Sequence, residues 1–209
     1  MQSRHEVEKR ILESIKSNLS LMSTVLPLSG IRPSKTKDKV VYISSPITTG
    51  SRMYRYMSSH KISDVVQISS DILFEKIMTP NIRESIVFSD TLRKLGHPLI
   101  IVPGHFIADG WTQEHYLDLW TKVIRDFAHV ICFNKGWEYS NGCVKELLIA
   151  LESNKEIVDS SFIPIKIPNA IAMIDSATRT IEKIGVVPEL LYQLRRKIEL
   201  HRTKSSQYV

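Results

Sequence analysis

Cysteine is scarce in this chain. Cys132 and Cys143 are the only two, and their spacing matches no metal-ligand pattern. Cys132 falls in an apolar run and Cys143 at the start of an expected helix, so both are read as reduced thiols of a reducing compartment. His97, His105, His115 and His129 show no metal spacing either, and no metal or cofactor is expected. Long hydrophobic runs are also missing: none approaches the ~18 residues of a membrane span. The first residues, with Arg4, Glu6, Glu8, Lys9 and Arg10, lack the apolar core of a signal peptide, so a cytoplasmic location without membrane contact is expected. No bias toward disordered, collagen-like or repeat sequence is visible. What is present is 43% hydrophobic and 24% charged residues over 209 positions, enough for one domain with a real core and an added arm.

The formal charge is +6, and part of the excess is local. Residues 191–209 hold Arg195, Arg196, Lys197, Arg202 and Lys204 against a single acid, Glu199. A mild basic excess suits anionic ligands such as nucleotides, and it is equally common in proteins that bind none. The tail is read as a solvated helix face rather than as a nucleic-acid contact.

Val7, Ile11, Ile15 and Leu19 recur every four residues and predict an amphipathic helix. Pro27 and the stretch 29–34 then read as a linker, so residues 1–38 form an arm that packs on the main domain or on a second copy of the chain. The main domain spans residues 39–209. Val40-Val41-Tyr42-Ile43 predicts a buried strand running into the polar loop 44–50. Val65 to Ile68 reads as a strand, residues 71–78 as a short helix capped by Ser70, and Ile82 to Leu95 as a helix ending at Gly96. Residues 99–102, 130–133 and 162–165 are expected as three further strands, the last near an edge because Pro164 cannot donate to a ladder. Tyr116, Leu119, Trp120, Val123 and Phe127 form the apolar stripe of a helix, read as core. Leu190, Leu191, Leu194 and Ile198 predict a final helix. Strands alternating with helices in this way predict an α/β, Rossmann-like (flavodoxin-like) fold. Its mostly parallel sheet would have four to five strands, with helices on both faces. Ligands in such sheets bind beyond the carboxyl ends of the strands, so the loops 44–50 and 134–142 are the expected site.

The second loop carries most of the chemistry: Gly136-Trp137-Glu138-Tyr139-Ser140-Asn141-Gly142-Cys143-Val144-Lys145-Glu146. Ser140 is a strong N-cap type, and Gly142 lets a ligand approach the backbone. Open N–H groups and the positive dipole end make the start of such a helix an anion site. Glu146 lies four residues after Gly142 and shares its helix face. From Ser140 to Glu146 the rise is about 9 Å, suited to a 5′-phosphate at the helix tip with the anomeric carbon near Glu146. The same dipole is expected to keep Glu146 ionised, as a nucleophile requires. Arg52 is either a phosphate partner or a surface arginine, and Trp137 either stacks on a base or folds its loop.

Tyr42-Ile43-Ser44-Ser45-Pro46-Ile47 resembles the opening Tyr-Ile-Ser-Gly-Pro-Met of proteins similar to nucleoside 2-deoxyribosyltransferases. Gly136-Trp137-Glu138-x-Ser140-x-Gly142-x-x-x-Glu146 resembles that family's second signature. Gly96-His97-Pro98 and the helix opening at Trp111 to Tyr116 fall between them in the expected order, so the resemblance covers about residues 39–155. It implies that Glu146 attacks the anomeric carbon to form a covalent glycosyl intermediate, resolved by a second base or by water. The serine matching Ser140 implies nucleoside 5′-monophosphates, including 2′-deoxynucleoside 5′-phosphates, as substrates rather than free nucleosides. Tyr42, Ser44, Ser45, Pro46, Asn141 and Gly142 complete the implied substrate site, and homo-oligomers with a neighbour closing the pocket are implied as well. Two positions depart from the pattern. Ser45 replaces a glycine, and Trp120 stands where the family has a sugar-contacting Asp, with Asp118 the nearest substitute and Asp126 nearly two turns late. The expected activity is hydrolysis or transfer at an N-glycosidic bond. Its rivals are a nucleotide-binding module without chemistry and an effector that cleaves a dinucleotide such as NAD.

Overall fold

Val41–Ser44 forms the first strand, β1, and all four of its residues are buried. A run without one exposed position is what a central parallel strand requires, because helices cover both its faces. The same holds for β3, Val130–Phe133, also buried throughout. The two pair in parallel, from Val41 opposite Val130 to Ser44 opposite Phe133. The short β2, Ile100–Ile101, pairs with Val41 and Tyr42 on the other side of β1, and β4, Glu156–Asp159, pairs with β3. The order β2-β1-β3-β4, parallel throughout, makes the fold α/β and Rossmann-like. The computed structural model describes residues 39–97, 99–106 and 110–205. The amphipathic helix expected around Val7 to Leu19 and its linker lie outside them.

The main helices are α1, Ser51–His60; α2, Thr79–Lys94; α3, Gln113–Asp126; α4, Asn141–Glu152; α5, Ile167–Glu182; and α6, Glu189–Ser205. Strand residues alternate between two helical layers. Val41, Ile43, Val130, Cys132 and Val158 pack with Leu92 and Phe88 of α2 on one face. Tyr42 and Ser44 turn to the other face, where Trp120 of α3 and Glu146 of α4 meet them.

Three local expectations need correction. Residues 162–165 are not the fourth strand: β4 is Glu156–Asp159, following α4 directly. The chain turns at Phe162, which has φ 61°, and folds back along the outer edge of β4 with a single antiparallel bridge, Val158 to Pro164. Pro164 has no N–H to extend it. Val65–Gln67 is one 3₁₀ turn rather than a strand. The Asp64 side chain accepts from Val66 N–H at 3.0 Å, and Val66 is 85% exposed, so no buried face draws these residues into a sheet. Ser69, not Ser70, caps the helix that begins at Ser70. That helix passes through a π turn at Leu73–Met78 into α2, a wider turn that tolerates Pro80 and its missing donor. The long helix α5 has no counterpart among the expected elements.

From β1 the chain moves outward to β2, then returns past β1 to β3 on its other flank. This reversal opens a crevice beyond the carboxyl ends of β1 and β3, at Ser44 and Phe133.

Candidate active site

Glu146 stands in that crevice. It lies in the second turn of α4, and its carboxylate is gripped by two hydroxyls from β1. Tyr42 Oη donates to Oε1 at 2.6 Å and Ser44 Oγ donates to Oε2 at 2.6 Å. Tyr42 and Ser44 are two apart on a strand, so they present the same face, and both are fully buried. Glu146 as a residue is half-buried, and its carboxylate is the closely surrounded end. Burial pushes its carboxyl up to about 7, against the opposing pull of the Ser44 and Tyr42 hydrogen bonds. The direction runs against the expectation of a firmly ionised carboxylate, because burial outweighs the two hydroxyl donors. The Tyr42 hydroxyl is pushed well above its ordinary range by burial first and by Glu146 second, so Tyr42 remains a donor.

The first turn of α4 is built as its residue types suggest, with one addition. Ser140 caps it, accepting from Cys143 N–H at 3.4 Å. Thr49 from the β1 loop lies 3.2 Å from Ser140 Oγ and accepts from Asn141 N–H at 3.2 Å. Of the first three N–H groups of α4, only that of Gly142 has no acceptor among the described residues. Gly142 is exposed, and a Cβ there would meet nothing but Ser140 Oγ at 3.8 Å. Internal packing therefore does not demand a glycine; an approach from outside would. Thr49 is the residue that sequence reasoning missed. The polar run Thr48-Thr49-Gly50 was its only signal, and that run does not say which hydroxyl faces α4.

The other expected site residues separate into three groups. Ser45, Pro46 and Arg52 line a neighbouring cavity whose walls include neither Glu146 nor Ser140. Trp137 is buried, its ring 5.0 Å from that of Phe133, so it folds the loop and offers no face to a base. Asp118 is exposed and makes no hydrogen bond to the site among the described residues. Trp120, two positions and about 200° further round α3, faces the site instead. Its ring meets Tyr42 edge-on at 6.1 Å and Phe106 at 5.9 Å, and it keeps some exposed surface, so it is a wall of the crevice rather than plain core.

Residues 77–159 match the model of a domain of unknown function, DUF4406. The match covers less than half of the chain. Comparison with curated proteins yields no match, and comparison with solved structures yields none. The matched stretch includes Ser140, Gly142 and Glu146 and stops short of Tyr42 and Ser44, so the two halves of the carboxylate's setting stand on different sides of its boundary. No helix among the described residues is long and apolar enough to cross a membrane.

Proposed function

We propose that the protein cleaves, or transfers across, the N-glycosidic bond of a (deoxy)nucleoside 5′-monophosphate, with Glu146 as nucleophile. One observation carries this reading: a carboxylate oriented by Tyr42 and Ser44 at 2.6 Å each, at the point where strand order reverses. A Glu146 oxygen bonds to the anomeric carbon while the carbon–nitrogen bond breaks. The base leaves with that electron pair and takes up a proton. Water or a second base then attacks the same carbon and Glu146 departs as carboxylate, its returning charge stabilised by the two hydroxyls. The 5′-phosphate is assigned to the tip of α4, at Gly142 N–H, Ser140 and Thr49. Homo-oligomeric assembly and a cytoplasmic location belong to the same reading.

The test is incubation with a panel of nucleoside 5′-monophosphates and the matching nucleosides, with chromatography for free base. Base release from monophosphates is expected, with affinity for them roughly ten- to a hundredfold above that for nucleosides, the worth of a charge-assisted contact. Ser140→Asp should reverse the preference, because like charges then meet at the helix tip. Equal affinity for both classes would remove the phosphate assignment. One observation favours a second reading, a nucleotide-binding module without turnover: Trp120 occupies the place of the second acid, and Asp118 is exposed. Binding without base release from any member of the panel would select it.

A further inference from the structure

Against Ser45 and Pro46 of the β1 loop lies a cavity of about 210 Å³. Ser45, Ser51, Arg52, Arg55 and Lys135 are among its walls, with Glu84 as the one carboxylate among the described residues. We propose that this cavity is a second oxyanion site, which takes a phosphate group at the N-terminus of α1 between Arg52, Arg55 and Lys135.

The charge balance comes first. Glu84 is committed to Arg52 in an ion pair, while Arg55 and Lys135 have no acidic partner among the described residues. The cavity therefore carries two uncompensated cations. Arg52 is held in place rather than free on the surface: its Nε donates to Asn81 Oδ1 at 2.9 Å. Asn81 is buried, and its Nδ2 donates to the Ile47 carbonyl of the β1 loop at 2.9 Å. The guanidinium keeps unused N–H groups in a fixed fork, the geometry that suits a phosphate. The start of α1 lies at the same wall, through Ser51 and Arg52. Gly50, the N-cap of α1, has no side chain to cap the helix, so its first N–H groups lack that acceptor. The volume is below the ~300–1,000 Å³ of pockets that enclose a whole drug-sized ligand, which fits a phosphate group rather than a complete nucleotide.

This proposal rests on the cavity alone and needs no turnover at Glu146. Inorganic phosphate is titrated by calorimetry at low ionic strength into the full chain, into Ser140→Asp, where the α4 tip repels phosphate, and into Ser140→Asp carrying Arg55→Gln and Lys135→Gln as well. Both glutamine substitutions are at exposed positions, so folding is retained. Ser140→Asp is expected to keep one bound phosphate, and adding the two glutamines weakens that phosphate at least tenfold. Absence of phosphate binding by Ser140→Asp, or unchanged affinity when the two glutamines are added to it, overturns the assignment. A nucleoside 5′-diphosphate then separates the sources. If it binds at least tenfold tighter than the monophosphate, and Arg55→Gln with Lys135→Gln removes that advantage, the cavity serves a second phosphate of the same ligand. If inorganic phosphate and the monophosphate bind together, without competing, the cavity serves a free phosphate. Base release combined with no phosphate binding outside the α4 tip defeats this proposal and leaves the glycosidic one standing. Phosphate binding without base release does the reverse.

Discussion

On the carboxyl of Glu146, burial and hydrogen bonding act in opposite directions, and burial prevails. If the deprotonated form attacks carbon, kcat/KM should fall about tenfold per pH unit below about 7 and level off above it. A profile flat from pH 5 to 8 would contradict that role. Glu146→Gln keeps the shape but not the charge, so nucleotide binding should survive while kcat drops at least ~10³-fold. The same substitution has a stability signature. An unfolded glutamate titrates near 4.5 and the folded one near 7, so the folded state holds its proton longer. The stability tied to that proton is fully present below 4.5 and lost as pH rises through 7. Between pH 4.5 and 8 the wild type should therefore lose on the order of 1–3 kcal/mol that Glu146→Gln does not lose, read by urea denaturation at the two pH values. A pH-independent difference between the two proteins would mean that the carboxyl is not desolvated as described. Asp118→Asn, at an exposed position, should leave base release within ~twofold.

The elements that bear these residues depend on close crossings of backbone. Gly50 ends the β1 loop and begins α1 with φ 154°, and a Cβ there would stand 2.7 Å from Pro46 Cβ. Gly50→Ala should therefore cost about 1–3 kcal/mol in thermal or urea unfolding, as overpacking does. It should also weaken monophosphate binding, because the displaced loop carries Thr49, the residue that bridges to Ser140 and Asn141. A variant as stable as the wild type would show that the loop has slack. Much of this level was readable beforehand. Ser140 was recognised as a cap from its type and position, since capping is a contact between residues three apart. Residues 162–165 read as a strand because Phe162 and Ile163 are more apolar than Glu156-Ile157-Val158-Asp159. An edge strand with one solvent-facing side needs no continuous apolar run.

At the scale of the whole molecule, both thiols are sealed inside the sheet and its first helix layer. Burial pushes Cys132 up to about 12, and burial together with the charge of Glu146 raises Cys143 well above its ordinary range. A thiol reagent should react slowly with the folded protein and find two thiols per chain after denaturation. Two fast-reacting thiols in the native state would contradict this packing. The sequence by itself determined what is local or periodic. Apolar runs marked β1 and β3, spacing set Gly142 and Glu146 on one helix face, and β–α alternation specified a parallel sheet. Only the tertiary structure decided which partners meet. Tyr42 and Ser44 reach Glu146 across 104 and 102 residues of chain, and the rotation of α3 turns Trp120 rather than Asp118 toward Tyr42. The residues of the β1 loop divide between the α4 tip and the basic cavity. Those outcomes follow from strand order, register and helix rotation, which come from burying all the apolar faces at once, so no short stretch of sequence contains them.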